Sequence, residues 1–463
     1  MVEPSAPQQA SVHILTLGCP KNEADSDRMA ASLRAAGHAM TDDLDRADVA
    51  IVNTCAFIRD ATAESLDTVL ALAGQWKDGH PRRKLVVAGC LASRYGADLP
   101  GELPEVDAFM AVADEDTVAE VMSGLLGGQA VSGGLTQGAP SAARIARVAS
   151  PVLRTTGASS SYVTIADGCS HVCSYCTIPM IRGPYCSRPA DDILAEAHML
   201  AAGGAREIIL VGQDTTSYGR DLPAGAAETD LPSLVRALSL IEELSWLRLM
   251  YVQPDGVTTE LLETMAASRA ICRYLDLPLQ HASGRVLRAM RRTGDATAFL
   301  DLVSRVRSLM PDVMLRTTLI AGFPGETDDD VDEVLDFLRA ARFDYVGVFA
   351  FSPEEGTAAA GLPGQVPEAE RKARAQLFMD TAEEIGTARV AAHVGEVVEV
   401  LVEGRDPDGV GGQTDGPAFV GRWRGQAPEI DGGVYLDADV EPGVITTVEL
   451  VDSLGYDLMG AVR

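Results

Sequence analysis

Three thiols, Cys169, Cys173 and Cys176, stand at a C-x3-C-x2-C spacing directly after a strand-like run at 162–165. This triplet constrains the chain more than any other stretch. Three close cysteines hold three irons of a four-iron cluster as thiolates and leave the fourth iron without a protein ligand. An open metal position can take a small molecule. The competing reading is a structural zinc knuckle, although zinc sites usually pair C-x2-C with a second pair or with histidine. His171, inside the triplet, reads as a loop residue and not a ligand.

A length of 463 residues predicts two to four domains. No apolar run reaches the length of a membrane span, and the first ten residues show neither a basic nor an apolar region of a secretory signal. The expected location is the cytoplasm, where the eight cysteines stay reduced and read as metal ligands before disulfides. A formal charge of −29 argues against broad nucleic-acid binding and fits a basic partner.

In the first third, strand-like runs at 12–17, 48–53 and 84–88 each end just before a cysteine: Cys19, Cys55 and Cys90. Helix-like segments at 23–36 and 62–73 lie between them. This alternation predicts βαβ units and a parallel sheet. Open sheets of this kind bind ligands beyond the carboxyl ends of their strands, so the three cysteines should converge. Buried thiols acting as small hydrophobes would not explain why each one follows a strand end. A second cluster with three thiolates and an open iron does.

From 127 to 161 the chain turns to Gly, Ser and Ala, as an interdomain connection would; Arg144, Arg147 and Arg154 read there as solvated. Beyond it, six candidate strands (162–165, 208–211, 247–252, 274–279, 313–321, 345–351) alternate with helices. This predicts a partial (β/α)6 barrel, open on one side to a macromolecular substrate. Its chemical motifs fall at strand carboxyl ends, where barrel enzymes place their sites. Gly212-Gln213-Asp214 offers acceptors for an ammonium, or a turn with an N-cap Asp. His281 reads as a satisfied polar residue, and Gly322-Phe-Pro-Gly-Glu326 as a turn. After a helix ending near residue 392, short strand-like runs predict a small β-barrel. Residues 393–463 hold 14 acidic and 4 basic side chains, a net of −10. The densest acidic run, Glu429, Asp431, Asp437, Asp439 and Glu441, reads as a surface that attracts a basic protein and repels an RNA backbone.

The cysteine triplet, with an aromatic just before its last Cys, resembles the signature of the radical S-adenosylmethionine (SAM) enzymes. Leu17-Gly-Cys19-Pro-Lys-Asn22, Asn53-Thr-Cys55 and Ala88-Gly-Cys90 resemble the N-terminal domain of the methylthiotransferases. The Cys-Pro-Lys-Asn form and Gln280-His-Ala282 are similar to the branch that modifies a ribosomal protein. The C-terminal stretch resembles a TRAM domain. The resemblance implies an α/β fold: an N-terminal open parallel sheet with helices over 11–126, a linker over 127–154, a radical SAM barrel over 155–388 and a TRAM barrel over 393–463.

The resemblance also implies two 4Fe-4S clusters and SAM, with the amino group of SAM held by Gly212, Gln213 and Asp214. Arg182 and Arg188 match the family pattern and would face an anionic cluster or the cofactor carboxylate. Cys186 and Cys272 match no ligand position and read as bystanders. In the implied reaction, SAM on the Cys169/Cys173/Cys176 cluster yields a deoxyadenosyl radical, which takes a hydrogen from the β-carbon of an aspartate in ribosomal protein S-twelve. A sulfur on the Cys19/Cys55/Cys90 cluster, methylated by a second SAM, then passes to that carbon. The implied partners are that ribosomal protein and an electron donor such as flavodoxin or ferredoxin, with no membrane and no stable nucleic acid. Two alternatives stay open: a tRNA adenosine methylthiotransferase, and a non-catalytic iron–sulfur electron-transfer or scaffold protein.

Overall fold

Six parallel strands make the N-terminal sheet: β1 (Ser11–Thr16), β2 (Ala39–Met40), β3 (Val49–Thr54), β4 (Lys84–Gly89), β5 (Ala108–Ala111) and β6 (Val131–Ser132), in the order β2-β1-β3-β4-β5-β6. This computed structural model describes residues 9–128, 131–132, 154–155, 157–222, 230–406 and 419–463. The expected linker over 127–154, with Arg144 and Arg147, lies almost wholly outside the described residues. All six residues of β3 are buried, as a near-continuous apolar run in a sheet covered on both faces requires. The helices Pro20–Ala35 and Arg59–Ala71 are two of its covers. Cys19 is the N-cap of the first, and Cys90 opens the helix Cys90–Tyr95 straight from β4.

The middle of the chain carries β7 (Ser160–Thr164), the short antiparallel pair β8 (Ala166–Asp167) and β9 (Cys186–Ser187), then β10 (Glu207–Val211), β11 (Trp246–Leu249), β12 (Tyr274–Gln280), β13 (Met314–Ala321) and β14 (Tyr345–Ala350). β7, β10 and β11 form one parallel sheet, and β12, β13 and β14 another. A bridge from Leu247 to Ile271 joins them. β7 and β14 do not pair, so the expected six-stranded partial barrel is open along that seam.

Strand alternation sorts its side chains. On β10, Ile208 and Leu210 join the core under the helices, while Ile209 and Val211 face the other way. The inward set includes Trp246, Tyr274, Met314 and Tyr345 at the starts of their strands. These form one apolar cluster with Val400, Trp423 and Ala427 of the C-terminal domain. That domain is a closed barrel of β15 (Val397–Arg405), β16 (Phe419–Trp423), β17 (Val434–Leu436), β18 (Ile445–Leu454) and β19 (Asp457–Val462), ordered β15-β16-β17-β19-β18. It plugs the end of the lumen where the strands begin.

The plug is tied in by buried charge. Arg422 donates to Glu207 at 2.6 Å, Arg248 reaches the same carboxylate at 2.7 Å, and Tyr274 donates to Asp431 at 2.5 Å. Asp431 therefore does not belong to the acidic surface expected of this domain. It is 1% exposed, because it accepts from Tyr274, Arg316 and the Ala427 amide. Asp437, Asp439 and Glu441 are exposed as expected.

The N-terminal domain covers the opposite end. Thr177 donates to the carbonyl of Phe57 at 3.0 Å, and Arg94 pairs with Glu354 at 2.9 Å in a buried ion pair. Arg154 is a correction to the solvated reading. It is buried and holds Asp27 and Glu196, each at 2.5 Å, pinning the helix Pro20–Ala35 to the barrel.

Candidate active site between two cysteine triplets

The loops that carry Cys19, Cys55 and Cys90 are gathered by one side chain. Asn22 donates to the carbonyls of Leu17 at 2.7 Å and Thr54 at 3.1 Å. Its amide oxygen lies 3.9 Å from the Cys19 sulfur and 4.0 Å from that of Cys90. Gly18 has φ +104, and a Cβ there would stand 2.6 Å from the Cβ of Cys55 and 3.0 Å from its sulfur. Only glycine lets the first cysteine loop come this close to the second. Burial pushes the Cys55 thiol up, with the Cys19 sulfur adding to the rise, and pushes that of Cys90 to about 12, with Cys55 and Cys19 both adding to it. Thiols so buried become ligands by giving their protons up to a metal.

Arg182 faces this group. It is buried, donates to Asn22 at 3.1 Å and to Asp25 at 2.9 Å, and also holds Asp167 of β8 at 3.2 Å. Its positive charge opposes the upward shift of the Cys55 and Cys90 thiols. One guanidinium thus joins the N-terminal cysteines to the barrel. Arg188 turns one nitrogen to Glu196 and to the Thr164 carbonyl, each at 2.7 Å, while its Nε and Nη2 are buried without a partner in the protein.

The second triplet lies on the loop beyond β7 and β8. Cys176 donates its amide to Cys173, Cys169 to Gly183, and Ser174 to Met290. Burial raises the Cys169 thiol to about 11 and Cys176 to about 12, helped by the neighbouring sulfurs. Arg292 comes within 3.8 Å of the Cys173 sulfur while donating to Gln253 at 2.7 Å and to the Pro278 carbonyl at 2.9 Å. A cavity of about 450 Å³ opens here, lined by His171, Cys173, Gln253, Arg291, Arg292 and Thr293 among others. Its size is that of a small-molecule site.

His171 is a loop residue, as expected, and holds Asp214 at 2.8 Å; that carboxylate raises the imidazole pKa. Asp214 also accepts from Thr216 and Ser217, capping the turn Thr215–Ser217. Gln213 is different. Both polar atoms of its amide are shut off from solvent without a partner in the protein, which leaves a donor and an acceptor for a ligand. Three converging thiols and an unpaired amide after the next strand suit a cluster with SAM.

Cys186 sits in the β8–β9 pair and Cys272 in the lumen cluster under the C-terminal barrel. His281 is buried and satisfied, between Glu326 at 3.3 Å and the Ser283 amide at 2.9 Å. Sequence reasoning missed Asn22, Lys21, Tyr251 and Gln253 as residues of the site. The first two lie inside the quoted Cys-Pro-Lys-Asn motif, which was their signal; the others carry none.

Three family models divide the chain: Uncharacterized protein family UPF0004 over 11–111, the Radical SAM superfamily over 163–338 and the TRAM domain over 394–462. Among solved structures, the radical SAM methyltransferase TsrM from Kitasatospora setae superposes with a TM-score of 0.52 at 15% identity, covering 76% of this chain and 77% of that one. That likeness shows the fold. The central domain is a radical SAM domain. The ribosomal protein uS12 methylthiotransferase RimO of Pelotomaculum thermopropionicum is 43% identical over 97% of this chain and 98% of its own. RimO of Moorella thermoacetica is also 43% identical, over 98% and 99%. The chain belongs to the RimO family of methylthiotransferases.

Proposed function

We propose that this chain attaches a methylthio group to the β-carbon of an aspartate in ribosomal protein uS12. The observation that carries the reading is the meeting of two cysteine triplets at one barrel mouth, in a chain whose relatives are RimO over nearly their full length. Cys169, Cys173 and Cys176 would hold the cluster that binds SAM, and Cys19, Cys55 and Cys90 the second cluster. Bound there, the two 4Fe-4S clusters and SAM supply the radical that opens an unactivated C–H bond and the sulfur and methyl groups to be transferred.

The chain's own work is placement. Asn22 and Gly18 hold the N-terminal thiols together, and Arg182 balances their charge. Arg292 and Gln253 fix the cavity beside Cys173, and the Gln213 amide would take up polar groups of SAM. The N-terminal domain roofs the mouth and limits access of water to it. The substrate is a basic protein met by a chain of net charge −29. The electron donor would be a flavodoxin or ferredoxin, the setting the cytoplasm, with no stable nucleic-acid or membrane binding. No helix among the described residues is long and apolar enough to cross a membrane. Mass analysis of ribosomal proteins and tRNA nucleosides from a deletion strain tests the reading. Loss of a methylthio group from uS12 is the expected result; loss from a tRNA adenosine would overturn it.

A further inference from the structure

Lys21 stands two residues beyond Cys19 and is 6% exposed. Its ammonium lies 3.7 Å from the ring centroid of Tyr251, at the carboxyl end of β11. Among the described residues it forms no ion pair or hydrogen bond. A buried ammonium is expensive unless paired, and one aromatic face compensates it only in part.

The neighbouring carboxylates supply no partner, although the charge of Lys21 does bear on the Cys55 thiol. Arg182 has already taken Asp25 and Asp167, and Asp276 is engaged by the Tyr251 amide and by Arg316. Tyr251 itself is held in the left-handed region, φ +57, where a bulky residue is a genuine outlier. Backbone held this way clusters at ligand sites. Gly18 is exposed and Cys19 half-buried, so solvent reaches the position from the side of the first cysteine loop.

We propose that Lys21 is a specificity-determining residue that pairs with the carboxylate of the substrate's own aspartate. This rests on the proposed function and deepens it. An aspartate whose β-carbon must meet the N-terminal sulfur brings its carboxylate one bond further on. A cation on the same helix turn as Cys19, steadied by an aromatic face from the barrel, would hold that carboxylate and orient the carbon beside it. A buried charge pair recognises its partner strongly and rejects the amide analogue, which leaves the cation unpaired.

The test is a double-mutant cycle on the reconstituted enzyme, titrated anaerobically with uS12 and with uS12 in which the modified aspartate is changed to asparagine. Lys21→Met keeps the length of the side chain and removes the charge. It should weaken binding of the aspartate form by about 100-fold and that of the asparagine form by no more than about threefold, with the iron content of both clusters retained. Lys21→Arg should recover part of the loss. Equal loss for both forms of uS12, or loss of the N-terminal cluster's iron in Lys21→Met, would overturn the inference, the second by showing that the charge serves the thiolates. A wild-type enzyme that binds neither form overturns the substrate assignment and this inference with it.

Discussion

Two positions at the site are decided by single atoms. At Gly18 the angle φ +104 and the 2.6 Å approach to the Cys55 Cβ leave no room for a methyl group. Gly18→Ala should displace the first cysteine loop from the second. Reconstitution should then yield about half of the roughly eight irons that two clusters hold; a full iron count would refute the steric argument. Gln213 poses the opposite case, a buried amide with no partner. Without a ligand such a group destabilises by about 1–3 kcal/mol, so Gln213→Leu should leave thermal stability equal or higher. If the amide holds SAM, affinity for SAM should fall about tenfold in the same variant. Unchanged affinity would remove Gln213 from the site. The two cysteine triplets and the Gly212-Gln213-Asp214 motif were legible as candidates because metal ligands and strand-end motifs write themselves as spacing. Lys21 and Tyr251 were not, since their meeting depends on how two domains dock, and no local pattern encodes that. Arg154 was misread for the same reason: a basic residue in a Gly- and Ser-rich stretch looks solvated until its partners, Asp27 and Glu196, arrive from two other elements.

At the scale of elements, each triplet is presented by strand ends of a different sheet, and this separation predicts a separation of tasks. Replacing Cys19, Cys55 or Cys90 should leave SAM cleavage to deoxyadenosine measurable while ending methylthio transfer. Replacing Cys169, Cys173 or Cys176 should end both. Product analysis of single Ala variants decides it, and equal loss of cleavage in the two sets would show the roles to be misassigned. The strands were the most legible elements. β3 and β10 are near-continuous apolar runs bounded by turn signals, and periodicity reads those well. The two-residue strand β2 and the short β5 and β6 escaped, because edge and short strands need little pattern of their own. β19 escaped for another reason: Asp457–Val462 includes Gly460, a residue whose absent side chain lets Val448 and Val434 approach, so its role is set by the barrel it closes.

For the whole molecule, the C-terminal barrel is a structural plug of the radical SAM lumen. Its hold centres on Glu207, which is fully buried between Arg248 and Arg422. The two guanidiniums keep its carboxyl down at about 2 against the penalty of burial. A carboxylate depressed in the folded state stabilises fully above its unfolded value, about 4.3, and that contribution is lost as the pH falls through the folded one. The lost contribution is on the order of 3 kcal/mol. Asp431 runs the other way, since burial raises its pKa despite Arg316, and its protonation on acidification favours docking. Through Glu207 the barrel should loosen as the pH drops from about 4.5 toward 2. Arg422→Met removes one of the two charges from a buried carboxylate, a change that costs about 3–5 kcal/mol. It should bring the same loosening closer to neutral pH. Limited proteolysis between the helix Glu368–Ala391 and β15, followed across a pH series, reports it. A cleavage profile in Arg422→Met that matches the wild type at every pH would show that the apolar cluster alone holds the plug in place.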